Sequence, residues 1–228
     1  MEIVLDNGFK KKEVDFKSGN IISIQSNDIK NIFENLVIDY NFDCIDNNNL
    51  FFVGNTVIDE FDIYSPDFDS LFLYAILEVL EFDDIFLKKK ISNLSYVEKL
   101  YVNIIRILLL GNKRVIFNNI FSLMDNYNQK KLINLLSYLK DKDYYLVISN
   151  KNVNFLYKYA DYSVVWNKKF FDFDIVDNVY NNVEPLIKNK FSVPILPLIT
   201  YKAKVEKDVR LFYSKDVRDI IKDIYKHV

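Results

Sequence analysis

The sequence predicts an α/β protein built on a mainly parallel sheet, and three observations carry that expectation. Short apolar runs of strand length alternate with segments whose apolar residues recur every three or four positions. The alternation persists from about residue 21 to residue 166, the order that places helices on the faces of a parallel sheet. The chain has 228 residues, 50% of them hydrophobic, enough for one sizeable core.

In chain order, residues 1–5 read as a short strand and residues 21–25 as a buried strand after Ser18 and Gly19. Residues 27–37 carry Ile29, Ile32, Phe33 and Leu36 at helical spacing. Residues 43–49 are polar and read as a loop. Residues 68–80 form a helix with Leu71, Phe72, Ala75, Ile76 and Leu77 on its apolar side, and residues 88–90 are a solvated basic turn. The longest helix is expected at residues 95–110, where Val97, Leu100, Tyr101, Ile104, Ile105 and Leu108 recur and Ser95 precedes Glu98 by three, a capping-box pattern. Then follow a strand at 114–117, a helix at 128–140, a strand at 144–149, a helix at 153–159 and a strand at 162–166. After Asn167 the pattern changes: Pro185, Pro194 and Pro197 punctuate it, and residues 216–225 make a final short helix.

Composition excludes several chemistries. With 30 Lys+Arg against 32 Asp+Glu, the formal charge of −2 provides no field to recruit nucleic acid or anionic lipid. One cysteine, Cys44, and one histidine, His227, leave no intramolecular disulfide, four-cysteine zinc site or histidine-based triad. The lone cysteine fits the cytosol. No leader is expected at residues 1–5, and the apolar run at 104–110, interrupted by Arg106, is far short of the roughly 20 residues a bilayer span needs. The adjacent carboxylates Asp59-Glu60 and Asp83-Asp84 read as solvated charges. Glycine is scarce, 4 in the whole chain, where average usage of about 7% would supply roughly 16; phosphate-cradling loops consume glycine.

Residues 94–125 carry a resemblance. Leu94-Ser95 opens a helix that holds Arg106 and Leu108–Leu110; the strand Val115–Phe117 follows, then Ser122-Leu123-Met124-Asp125. This order, without a gap, resembles the nucleotide-binding subunit of ATP-binding cassette (ABC) transporters, from the LSGGQ signature through the Walker B strand to the D-loop. Residues 18–24 look like the strand entering Walker A, 145–149 like the strand before the switch histidine, and 160–165 like the strand after it. Residues 55–61, N-T-V-I-D-E-F, resemble a segment of energy-coupling-factor (ECF) cassettes, as does the tail from Phe191. The resemblance implies a P-loop NTPase fold of ABC type, with a cassette domain at 1–166, an inserted helical lobe at about 67–110 and a small C-terminal extension at 167–228.

The chemistry of that family is poorly provided for. Walker A needs glycines so that backbone N–H groups can surround phosphate. This chain has Ser26-Asn27-Asp28-Ile29-Lys30-Asn31, short by about two residues, and Asp28 would repel a triphosphate. Lys30 and Asn31 are the nucleotide-binding candidates; Lys30 reads either as the phosphate lysine or as a solvated lysine on a first helical turn. Asn118 stands where the resemblance implies the Mg²⁺-holding aspartate, Asn119 where it implies the catalytic glutamate, and Asn150 where it implies the switch histidine. No amide supplies the charge for a hard cation or the basicity for a proton. The Q-loop position falls near Asp46, and Lys11 stands near the adenine-stacking aromatic. Tyr96 and Val97 fill the signature glycine positions, leaving Leu94, Ser95 and Asp125 as the elements that could face a partner's nucleotide. The resemblance therefore implies a degenerate cassette: no catalytic residues, no metal, no cofactor beyond weak ATP and Mg²⁺. Its expected partners are a second cassette subunit and a transmembrane transporter subunit, at the cytoplasmic face of the membrane. Two alternatives stand: an active ECF-type ATPase with atypical motifs, and an unrelated α/β interaction protein. The ABC resemblance itself demands a helical lobe that ends in a helix started by Ser95, and fails if that helix is not there.

Overall fold

The computed structural model describes residues 1–46, 50–211 and 215–226; His227 lies outside them. The chain opens with β1 (Glu2–Asp6), β2 (Lys11–Asp15), β3 (Asn20–Ser26), α1 (Ile29–Tyr40) and β4 (Asp43–Ile45). Four helices follow, α2 (Val57–Tyr64), α3 (Ser70–Val79), α4 (Asp84–Lys88) and α5 (Tyr96–Leu109). Next come β5 (Arg114–Asn118), α6 (Asn126–Asp141), β6 (Tyr145–Ser149), α7 (Val153–Tyr159), β7 (Tyr162–Trp166) and β8 (Phe171–Ile175). The chain ends in α8 (Val176–Asn181), α9 (Val183–Lys188), α10 (Ile195–Lys207) and α11 (Val217–Lys226).

The main sheet has the order β4-β5-β6-β3-β7-β8. Every pair is parallel except β7 with β8. Alternate residues of each central strand enter different cores. Ile22, Ile24, Ile116, Val147 and Val164 meet Ile32, Phe33 and Leu36 of α1 and the β1–β2 ribbon. Ile21, Val115, Phe117, Leu146, Ile148 and Val165 meet the larger core, which includes Leu132, Leu135, Leu136 and Leu139 of α6. A parallel strand covered on both faces needs apolar residues at every position, which is why these runs read as continuous rather than alternating.

The helix expected at 95–110 is observed with the cap expected for it. Ser95 Oγ accepts from the Glu98 N–H at 3.2 Å, and the Ser95 N–H donates to Glu98 Oε2 at 2.8 Å. Most of α5 is buried, from Leu100 to Arg106 and at Leu108 and Leu109. Full burial of each such Leu or Ile contributes roughly 1.5–3 kcal/mol. Four helices, α2 to α5, run consecutively between β4 and β5.

Three expectations are corrected. Residues 43–45 are not loop: Asp43–Ile45 pairs in parallel with Val115–Phe117 as β4. Only Ile45 of the three is fully buried, so a three-residue edge strand left no pattern to read; Asn47 to Asn49 of that expected loop lie outside the described residues. Glu60 is not solvated but completely buried, while its neighbour Asp59 closes a capping box with Thr56. The sheet also continues past Trp166: the turn at Asn167 returns the chain as β8, antiparallel to β7. Phe171 and Phe173 of β8 face the α1-side core while Asp172 and Asp174 alternate with them, a strand pattern in F-D-F-D-I that was legible. Burial and the neighbouring Asp174 push the Asp172 carboxyl above its usual range.

Candidate functional site

The C-terminal ends of β3, β5 and β6 meet along one edge of the sheet, where open α/β sheets bind ligands. A pocket of about 350 Å³ lies there, lined by Ser26 and Ile29 from the β3–α1 junction and by Asn118, Asn119, Ser149 and Asn150 from the ends of β5 and β6. The structure thus brings together the three asparagines singled out from the sequence. Asn118 and Ser149 are register partners across the β5–β6 ladder. Ser149 Oγ donates to Asn118 Oδ1 at 2.9 Å and accepts from the Asn119 N–H at 3.1 Å. Asn119 has a left-handed backbone, φ 54°, which Asn adopts more readily than most residues. Its Oδ1 accepts from the Lys151 N–H at 3.3 Å, and its carbonyl accepts from Ser122 Oγ at 2.8 Å. Asn150 Oδ1 accepts from the Asn152 N–H at 2.8 Å, a local turn ahead of α7. Each of the three carboxamide oxygens thus accepts one hydrogen bond: Asn118 from the end of β6, Asn119 from the loop after it, and Asn150 from its own turn.

Lys30 does not reach this pocket. Its side chain is 86% exposed and lies 3.6 Å from Glu34, one turn along α1; of the two readings open for it, the solvated lysine is observed. Asn31 turns to the β1–β2 ribbon, where its Nδ2 donates to the Asn7 carbonyl at 3.0 Å. Gly8, in the turn of that ribbon, has φ 83°, and a Cβ there would lie 2.5 Å from Asn31 Nδ2, so glycine is required by both backbone and contact. Between β3 and α1 only Asn27 and Asp28 intervene. The Asp28 N–H is taken by Ser26 Oγ, and its carbonyl by the Asn31 N–H.

The lobe-side candidates are likewise occupied. Leu94 is buried in the larger core. Ser95 caps α5. Asp125 caps α6, accepting from the Asn128 N–H at 2.8 Å and from Asn128 Nδ2 at 3.0 Å; the backbone bond is the main reason its carboxyl lies below the usual range. Burial, with Asp46 nearby, pushes the Cys44 thiol up to about 12.

Sequence reasoning missed the strongest polar cluster. Arg106 Nη1 donates to Glu60 Oε1 at 2.6 Å and to the Phe51 carbonyl at 2.8 Å, and Nε and Nη2 both donate to Asn103 Oδ1. Glu60 Oε2 accepts from the Val53 and Gly54 N–H groups at 2.8 and 2.7 Å. A Cβ on Gly54 would lie 2.5 Å from the Glu60 backbone nitrogen, so glycine lets the loop lie on α2. The signal was present: a lone arginine inside an apolar helical run requires a buried partner.

No family model matches the chain, and no curated protein matches it. Solved structures do. CbiO1 from Clostridium perfringens, part of the ABC transporter complex CbiONQ, is 13% identical over 85% of this chain and 92% of its own, with a TM-score of 0.64. A metal-chelate type ABC transporter in an inward-facing conformation is 17% identical over 79% and 82%, with a TM-score of 0.65. The fold is that of an ATP-binding cassette. A third structure, MJ1267, an ATP-binding cassette of an ABC transporter in its ADP conformation, covers 82% of this chain and 98% of its own at a TM-score of 0.63 and 14% identity.

Mg²⁺ and ATP, the groups this cassette fold implies, can be tested against the residues present. A hard cation takes carboxylate oxygens or water, and the pocket offers Asn118, Asn119 and Asn150, whose carboxamide oxygens already accept hydrogen bonds. Among the described residues no three His, Cys, Asp or Glu side chains cluster. The phosphate cradle is two residues long and holds an acid, and its lysine points to solvent. The residues do not fit Mg²⁺-ATP in the manner of a Walker site. No helix among the described residues is long and apolar enough to cross a membrane.

Proposed function

We propose that the chain is a non-hydrolysing cassette subunit, a structural or regulatory partner in an import complex, paired with a second cassette subunit and a transmembrane subunit at the cytoplasmic face of the membrane. One observation carries this reading: Asn118, Asn119 and Asn150 stand at the positions of the groups that hydrolysis requires, and their amide oxygens accept hydrogen bonds, from the end of β6, from the loop after it and from a local turn. The fold is retained while its chemistry is absent. CbiO1 belongs to a transporter complex, and by likeness of fold this chain is assigned such a setting. Residues 1–166 form the cassette part, with the lobe in its middle, and 167–228 an extension that begins as the edge strand of the sheet. The lobe offers a surface for a membrane partner: the Arg106–Glu60 network holds the loop that displays Phe51 and Val53, 71% and 60% exposed. Exposed apolar side chains on an internally anchored loop are suited to contact another protein.

The test is Mg-ATPase activity of the purified chain, with release of inorganic phosphate as readout. Turnover at the level of a protein-free blank is expected. Robust turnover abolished by Lys30→Ala would overturn the reading in favour of an active ECF-type enzyme.

A further inference from the structure

On the far side of β3 from the asparagine pocket, a second pocket of about 340 Å³ lies between the β3–α1 junction, the β7–β8 turn and the end of α9. Lys168 and Lys169 come from the turn; Lys188 and Lys190 come from the end of α9. Asp28 is the only carboxylate among the lining residues. All four lysines are exposed, and none of them is in an ion pair among the described residues. For a chain of formal charge −2, this is a strong local departure from neutrality.

The frame beneath the lysines is built rather than loose. Asn167 Oδ1 accepts from the Lys169 and Phe170 N–H groups at 2.8 and 2.9 Å, closing the turn, and its Nδ2 donates to the Asn189 carbonyl at 3.1 Å. Asn189 Nδ2 in turn donates to the Pro185 carbonyl at 2.8 Å. One asparagine therefore fastens the turn to the end of α9 and sets two lysine pairs around one concavity. Lys168 Nζ sits 3.7 Å from the centroid of the Phe9 ring, which restrains that ammonium at the rim. Like charges brought together without acidic partners cost free energy, and a compact anion with several charges relieves it. Lysine ammonium groups are strong donors to phosphate oxygens.

We propose that this pocket binds a phosphate-bearing ligand of high charge, either a soluble polyphosphorylated molecule or a polyphosphorylated lipid headgroup. It adjoins the loop where the cassette fold takes a nucleotide, sharing Asn27 and Asp28 with it, while its four lysines come from outside that loop; it does not depend on whether the chain hydrolyses ATP.

Tripolyphosphate, which carries no nucleoside, is titrated into the full chain by calorimetry at low salt. Sedimentation with phosphatidylcholine vesicles, with and without a phosphatidylinositol bisphosphate, runs in parallel. The variants are Lys168→Gln with Lys188→Gln, the charge-matched control Lys17→Gln with Lys130→Gln, and Lys30→Gln. Tripolyphosphate binding tighter than about 1 mM is expected, weakened about tenfold or more by the pocket pair and little changed by the other two. Thermal melting should be the same for all, because the substituted side chains are exposed. Vesicle binding lost in the same pocket variant identifies the headgroup as the source; tripolyphosphate binding alone identifies a soluble ligand. Equal weakening by the control pair would reduce the effect to net charge and overturn the proposal. So would loss in Lys30→Gln alone, which puts the anion at the first turn of α1, or no binding of either probe by the unaltered chain.

Discussion

At the lobe, polarity takes the form of charge: Arg106 and Glu60 are buried together, 2.6 Å apart, and their remaining hydrogen-bonding capacity goes to Asn103, Phe51, Val53 and Gly54. At the strand ends, polarity is neutral: Asn118, Asn119, Ser149 and Asn150 exchange hydrogen bonds with one another and with nearby backbone. Charge is kept where it holds a loop against two helices. At the strand ends, the described residues that line the pocket with Asn118, Asn119 and Asn150 include no carboxylate. Both clusters are internally satisfied, but only the first is costly to break, because a buried ion left without its partner has lost its hydration as well.

The comparison can be broken most forcefully at Glu60. Glu60→Ala leaves the Arg106 guanidinium uncompensated and two backbone donors unpaired, and should cost about 3–5 kcal/mol in urea denaturation. Glu60→Gln, which keeps an acceptor oxygen, should cost less. Equal, small losses in both would mean that Arg106 finds water, and the contrast between the clusters would collapse. Ser95→Ala should cost about 1 kcal/mol, the usual penalty for losing a helix N-cap, read in the same assay. Asp125 sharpens the point through pH. Its folded carboxyl is held below the ordinary 3.8, so its contribution is present above that value and is lost as pH falls through the lower folded one. The stability gap between the unaltered chain and Asp125→Ala should therefore be constant above about pH 5 and close below pH 4. The smallest effect is expected where chemistry is put back. Asn118→Asp with Asn119→Glu restores two carboxylates, yet phosphate release should stay at background, because Lys30 remains turned to Glu34 and the β3–α1 junction remains two residues long. Turnover in that variant would show that the amides alone had silenced the site.

Legibility divided along physical lines. Elements buried on two faces or along a wide stripe were readable: β3, β5, β6 and β7 as apolar runs, and α5 with its Ser95–Glu98 cap. Elements with little to bury were not. β4 has three residues, and β2 buries only Val14. The candidate site was legible as a set, since Asn118, Asn119 and Asn150 do line one pocket. The roles of Lys30 and Glu60 were not, because orientation and burial depend on neighbours distant in the chain.

By itself the sequence determined the alternation of strands and helices, the positions of the main caps, the scarcity of glycine and the amides at residues 118, 119 and 150. These follow from local periodicity and residue chemistry. Only the tertiary structure decided that Lys30 faces solvent, that Ser95 and Asp125 are engaged as caps, that Glu60 meets Arg106 across 46 positions, and that four lysines from two separate segments surround one pocket. Those outcomes rest on contacts between segments far apart in the chain, which no local pattern encodes.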